Sequence, residues 1–327
     1  MKYNALTIDV EDYFQVHAFS RVVRYEDWEK YECRIEQNTN RILELLDSHG
    51  AQKKDTKFNN ALSHGSPRAT FFILGWIAKR FPALIRRIAD LGHEIACHGY
   101  AHKPIYHQSK KEFRVDVKKA KAILEDITGD EVIGYRAPMY SVTNRSRWAL
   151  EILIEEGFQY DSSIFPIRHD VYGFRSAPRF LCTIHLNGSF HNDFQMLELE
   201  SNSKIDFQNV KCIVEFPPST IRMCGQNIPI SGGGYFRLFP YWFTKRALIS
   251  INHDEKKPFI FYLHPWEFDC DQPRIRGAGF KSYFRHYNNL NKTESRFKRL
   301  LEDFRFSSIK EVLKQNDVQV YDCRQTL

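Results

Sequence analysis

No Cys-x-x-Cys pair occurs among the seven cysteines, and their number is odd. Both facts argue against a disulfide framework and favour reduced thiols. No apolar run is long enough to cross a bilayer, and Met1-Lys2 leads straight into the strand-like Tyr3 to Ile8 without the apolar stretch of a secretion signal. The expected location is therefore cytoplasmic, and a place at the periphery of the inner membrane is compatible with it. No basic stripe is present: the net charge of +7 arises from 47 Lys+Arg against 40 Asp+Glu scattered along the chain, so no nucleic-acid partner is expected. Gly232-Gly233-Gly234 lacks the strand-to-helix context and the lysine of a phosphate loop, which removes nucleotide binding from consideration. There are no internal repeats.

What is present is enough apolar sequence, 43% of 327 residues, to bury a large core. Strand-then-helix units follow one another, the pattern of a parallel sheet or barrel with helices outside. Strands are expected at Ala5 to Ile8, Ala69 to Leu74, His93 to Cys97, Val132 to Tyr135, Phe158 to Tyr160 and Phe259 to Leu263. Helices are expected over Asn38–His49, Pro82–Leu91, Ser109–Thr128, Arg145–Glu156 and Tyr241–Asn252, with the last helical material between Glu294 and Val312. Several stop at a glycine (50, 92, 129, 157), as helix ends commonly do. Residues 52–68 are polar and read as an exposed loop insertion. Residues 165–240 are short, aromatic and rich in Pro and Gly, and read as a β-rich insertion or long loops.

In such architectures reactive side chains gather where strands end. Asp9, His98, Arg136, Asp161 and His264 each stand at or just past an expected strand end. His98 and His102, four apart, with a carboxylate from Asp9-Val10-Glu11-Asp12, would make a three-ligand divalent site with room for water, the pattern of a catalytic metal. One acid must stay free to take a proton from water; Asp9, first past the strand, is the expected base. Glu11 or Asp12 would be the ligand, and spacing does not separate them. Zinc suits mixed nitrogen and oxygen ligands, with cobalt or nickel as substitutes.

Arg136, in Tyr135-Arg136-Ala137-Pro138-Met139-Tyr140, would orient Asp9, and Pro138 would set the turn so that a backbone N–H at Met139 or Tyr140 faces an oxyanion. His264 would be the general acid and Trp266 an apolar wall for a sugar ring. Asp161 would orient a histidine or an active-site loop, or else form a turn. Tyr235 lies in the glycine-rich stretch expected to be a flexible, substrate-facing loop. Cys97 has the strand parity of an inert buried thiol, and His64 and His107 read as surface residues.

Together, Thr7-Ile8-Asp9-Val10-Glu11-Asp12, Ala69-Thr70-Phe71-Phe72, Gly92-His93-Glu94-Ile95 with His98-Gly99-Tyr100-Ala101-His102, Tyr135-Arg136-Ala137-Pro138 and Leu263-His264 resemble the ordered motifs of polysaccharide deacetylases, the nodulation-deacetylase-like carbohydrate esterase family 4. Gly232 to Arg237, His264-Pro265-Trp266-Glu267-Phe268 and Arg285-His286-Tyr287 further resemble the exosortase-associated, exopolysaccharide branch. The resemblance spans nearly the whole chain, read as one deacetylase-like domain over 1–327 with a branch-specific extension at 280–327. It implies a distorted (β/α) barrel of about seven strands and metal-dependent removal of N-acetyl groups. By motif position it implies Asp9 as base, His98 and His102 as metal ligands, Arg136 as the residue orienting the base, and His264 as acid. The usual Asp-Asp pair is here Asp-Val-Glu-Asp, so the metal carboxylate stays open between Glu11 and Asp12.

The expected function is deacetylation of N-acetylhexosamine units in an exopolysaccharide or its lipid-linked precursor, which is compatible with association with membrane-bound exopolysaccharide machinery. The alternatives are a related amidohydrolase acting on peptidoglycan or a small cyclic ureide, and a carbohydrate-binding barrel without turnover.

Overall fold

Seven strands run parallel and side by side in the computed structural model, which describes residues 3–54, 66–169, 172–186, 194–198, 211–316 and 318. In spatial order they are β11 (Ile260–Leu263), β1 (Asn4–Val10), β2 (Thr70–Ile73), β3 (Glu94–Cys97), β4 (Gly134–Tyr135), β5 (Tyr160–Asp161) and β8 (Cys212–Glu215). β1 is central and buried along its whole length, pairing Ile8 with Leu263 on one side and with Phe71 on the other. A strand flanked on both edges and covered on both faces must be nearly continuous in apolar residues, which is why these strands were visible as hydrophobic runs.

Side-chain parity divides the core. Leu6, Ile8 and Val10 point outward into the main cluster, against the helices. Ala5, Phe72, Ala96, Tyr160, Val214 and Ile260 point inward and form a second cluster, which Ile309, Val312 and Leu313 of α10 (Ile309–Gln315) close from one end. There the Ile309 N–H donates to Thr70 Oγ1 at 2.8 Å and the Lys310 N–H to Glu94 Oε2 at 3.0 Å. Continuing the inward parity at two-residue steps gives Asp9 from Ala5, His98 from Ala96 and His264 from Ile260. The open end is therefore where the polar strand ends collect. Cys97 has the opposite parity and sits in the outer cluster, where burial pushes its thiol up to about 12.

The outer layer is helical: α1 (Ile35–Lys54), α2 (Gly75–Arg80), α3 (Pro82–Asp90), α4 (Lys110–Thr128), α5 (Trp148–Glu155), α6 (Gly233–Leu238), α7 (Tyr241–His253), α8 (Phe280–Tyr287) and α9 (Thr293–Asp303). α4 starts on a reciprocal cap between Ser109 and Glu112 and ends at Gly129 in the left-handed conformation, φ +73°. α1 continues through Lys54, past the point where a loop was expected; residues 55–65 lie outside the described residues.

The stretch read as an insertion holds an antiparallel pair, β6 (Cys182–Leu186) and β7 (Phe194–Glu198), and a separate hairpin, β9 (Thr220–Met223) with β10 (Gln226–Pro229). It also holds β8, so part of the expected insertion belongs to the parallel sheet. Likewise β12 (Phe306–Ser307), in the expected extension, pairs with β1.

Among the described residues β8 and β11 share no ladder. Ser219 Oγ instead accepts the Ile260 N–H at 2.9 Å, the Tyr262 N–H donates to Ser231 O at 2.8 Å, and Gly232 bridges Tyr262 in parallel. Gly232 has φ +141°, and a Cβ there would lie 1.8 Å from Tyr262 O. The glycine run is thus packed onto the β11 edge and begins α6, contrary to the flexible loop expected from its composition.

Candidate active site

β1 delivers Asp9 at its end and Glu11 just beyond; β3 delivers His98. One atom each of Glu11, His98 and His102 lies within 4.8 Å of the others. His102 Nε2 is 2.7 Å from Glu11 Oε2, with both side chains almost fully buried. His98 Nδ1 lies 2.8 Å from the Arg136 carbonyl. A carbonyl only accepts, so Nδ1 carries the hydrogen and Nε2 presents its lone pair to the cluster. Burial pushes His98 down to about 4, the neutral form a metal ligand requires. Burial would raise Glu11, but His102 first, then His264 and His98, pull its carboxyl well below the usual range.

The second histidine is reached through a tight turn. Gly99 has φ +73°, its missing Cβ would meet Asp116 Oδ2 at 2.9 Å, and that oxygen accepts the Tyr100 N–H at 2.8 Å. His102 itself has φ +51°.

Arg136, fully buried past β4, donates to Asp9 Oδ1 at 2.6 Å and to Thr7 Oγ1 at 2.8 Å through one nitrogen. Its other nitrogens hold the Ser162 carbonyl and hydroxyl at 3.1 and 2.8 Å. Four anchors fix the guanidinium, which in turn fixes one oxygen of Asp9. The other, Oδ2, is 3.9 Å from His264 Nε2.

His264 Nε2 is also 3.5 Å from Glu11 Oε1. Its Nδ1 lies 2.7 Å from Glu267 Oε1, which accepts the His264 N–H at 3.0 Å as well. Glu267 Oε2 accepts from Arg237 Nε at 2.7 Å. Burial opposes a charge on His264, yet Glu267, Glu11 and Asp9 outweigh it and raise the imidazole to about 9. Glu267 and Arg237 carried no role in the sequence reading. The available signal was the three-residue spacing from His264 to Glu267, which a single helical turn brings together.

The structure narrows two expectations, for Asp12 and Asp161, and corrects one, for Trp266. Asp12 lies outside the cluster: its Oδ1 accepts the Tyr13 N–H and its Oδ2 the Arg34 N–H, at 2.8 and 2.7 Å, and burial raises it to about 6. Trp266 is buried, stacked on His286 with ring centroids 4.0 Å apart, and its indole N–H donates to Glu11 Oε1 at 3.3 Å. It backs the site, its ring also stacked on that of His264 at 5.3 Å, and offers no open wall; Tyr262, equally buried, stands edge-on to His264 at 5.8 Å and packs on Tyr140. Among the described residues Asp161 contacts no histidine; it accepts from Ser163 Oγ and shares a hydrogen bond with Glu215, which fits the loop and turn readings.

The strained pair Met139 and Tyr140 (φ +61° and +50°) follows Arg136, and the Tyr140 N–H is engaged by Ala137 O at 3.0 Å. Tyr235 is hydrogen bonded to Tyr172, which belongs to the Tyr140–Tyr262 cluster.

The end of this parallel α/β sheet thus gathers an arginine-anchored carboxylate, a carboxylate-bound imidazole and a three-residue donor set within reach of one cation. Residues 36–153 match the family described as Polysaccharide deacetylase and residues 162–314 a Domain of unknown function (DUF3473). A Peptidoglycan deacetylase of Helicobacter pylori is 36% identical over 97 residues, 29% of this chain and 32% of that protein. A Peptidoglycan-N-acetylglucosamine deacetylase of Bacillus cereus is 33% identical over 96 residues, 29% of this chain and 35% of that protein. The chain spans about a third of the length of these relatives. A crystal structure from Mycobacterium smegmatis, assigned as a polysaccharide deacetylase, superposes with TM-score 0.56 at 17% identity, covering 96% of this chain and 90% of that one. It shares the fold.

Proposed function

We propose that the protein is a metal-dependent amidohydrolase that removes N-acetyl groups from N-acetylhexosamine units of a polysaccharide. The observation that carries this reading is the Glu11–His98–His102 cluster beside the Arg136-anchored Asp9. The fit to a cation rests on this donor set: Glu11 Oε2 is buried 2.7 Å from His102 Nε2, and His98, its Nδ1 held by the Arg136 carbonyl, presents the lone pair of Nε2. Two imidazoles and a carboxylate suit zinc, with cobalt or nickel as substitutes.

A divalent ion there would polarise the acetamide carbonyl and acidify a bound water. Asp9 takes the proton from the attacking water, with Arg136 holding its position. His264, protonated and oriented by Glu267, gives a proton to the nitrogen as the C–N bond breaks. The products are acetate and the free amine. Met139, Tyr140 and Tyr235 are the proposed substrate contacts, with Tyr262 packed behind Tyr140.

An exopolysaccharide or its lipid-linked precursor is the proposed substrate, after the resemblance to the exosortase-associated branch. The peptidoglycan-acting relatives favour a second reading, peptidoglycan N-acetylglucosamine. Acetate release should be measured on N-acetylglucosamine oligomers, isolated peptidoglycan and an N-acetylated exopolysaccharide. We expect release with the metal-loaded protein and at least a ~10²-fold loss in His98→Ala and Asp9→Asn. Undiminished release in either variant would overturn the mechanism, and the preferred polymer decides between the two substrates.

A further inference from the structure

α8 buries one face and leaves the other bare. His286 and Tyr287 are buried, His286 against Trp266 and Tyr287 against Phe19. On the outer face Phe280 is 83% exposed, Phe284 48% and Tyr283 42%, in a turn-by-turn row. Exposed phenylalanines in a row on one helix are uncommon on a soluble surface and mark an interaction site.

The polar complement of this face has one sign. From Gln272 to Thr293 the chain contains no Asp or Glu, while Arg274, Arg276, Lys281, Arg285 and Lys292 supply five cations. Arg274, Arg276, Lys281 and Arg285 are all exposed. Acid-free stretches also occur at 56–89 and 216–253; what marks 272–293 is that its exposed cations lie on and beside the helix that bears the exposed Phe280, Tyr283 and Phe284.

Aromatic rings flanked only by cations fit a surface that is apolar within and anionic at its boundary. A neutral glycan requires acceptors as well as donors around its hydroxyls, and residues 272–293 supply no carboxylate. We propose that the outer face of α8 is a docking surface for an anionic lipid bilayer, with Phe280 and Phe284 entering the acyl boundary and Arg276, Lys281 and Arg285 meeting the headgroups. The proposal is independent of the reaction assigned above. Its consequence is spatial, because the same helix supports the site through His286, whose ring lies on the Trp266 that hydrogen bonds to Glu11.

The test is co-sedimentation of the full chain with vesicles of phosphatidylcholine alone or with about one third phosphatidylglycerol. We expect binding to the anionic vesicles only, weakening as salt rises. The double variant Phe280→Ser/Phe284→Ser should bind about tenfold more weakly, and Arg276→Glu/Lys281→Glu weaker still. Unchanged far-UV circular dichroism and metal stoichiometry would show that each variant folds. Absence of vesicle binding, equal binding to neutral vesicles, or equal binding by folded variants would overturn the proposal. So would loss of soluble glycan binding in the phenylalanine variant with vesicle binding intact, which would make the face a sugar platform.

Discussion

Glu267 grips His264 twice, accepting from the imidazole Nδ1 at 2.7 Å and from the same residue's backbone N–H at 3.0 Å. A single carboxylate thus sets the ring's tautomer, its rotation and its charge. Arg237, itself buried, donates to the other oxygen and to the His286 and Asn288 carbonyls. The geometry of the proposed acid therefore depends on residues from α6 and the C-terminal end of α8.

Glu267→Gln keeps the shape and removes the charge. His264 is raised from 6.5 to about 9 partly by Glu267, so the variant's imidazole should lose its proton at lower pH. We expect the alkaline fall in acetate release to move to lower pH, with a ~10- to 10²-fold smaller kcat and little change in KM. A pH–rate profile identical to that of the parent would remove Glu267 from this role.

Glu11 and Asp12 separate by what each deletion costs. Glu11→Gln should weaken metal binding by more than about 10²-fold, since it replaces a ligand. Asp12→Asn should retain one metal per chain, yet lose about 1–3 kcal/mol of stability, because one of the two buried N–H groups loses its acceptor. Calorimetric metal titration and urea unfolding of the same two proteins check both halves.

Asp161 and Glu215, fully buried at the ends of β5 and β8, are both raised by burial, Asp161 from 3.8 to about 6. A carboxyl raised on folding binds more protons in the native state, so its contribution is present below pH 4 and is lost as pH climbs through about 6. Glu215→Gln should flatten that loss and add on the order of 1 kcal/mol above pH 6. Unfolding midpoints measured from pH 4 to 8 test this, and a parallel pair of curves for variant and parent would contradict it.

Legibility of the fold followed burial. β1, β2, β3 and β11 are covered on both faces, so their apolar runs mark them, and the inward parity of Asp9, His98 and His264 follows from counting by two. β8 escaped because the described residues before it, 182–186 and 194–198, are an antiparallel strand pair, which breaks the strand–helix rhythm. Trp266 was misplaced because an aromatic beside an expected catalytic residue looks the same in sequence whether it faces substrate or, as here, the buried His286. Asp161 was recognised as unusual, but its partner Glu215 lies 54 residues away in the stretch read as an insertion. Asp12 and Glu11 could not be parted by spacing. The structure separates them because the backbone N–H groups of Tyr13 and Arg34 occupy Asp12.

The two family matches divide the machinery unevenly. His98, His102 and Arg136 lie within residues 36–153, His264, Glu267 and Arg237 lie within 162–314, and Asp9 and Glu11 precede both. β1 is threaded between β11 and β2, so the strand bearing the last two is clasped by pieces from opposite ends of the chain. A fragment trimmed to either match would be hollow at its middle, and only co-expressed segments able to re-knit around β1 could regain a working centre.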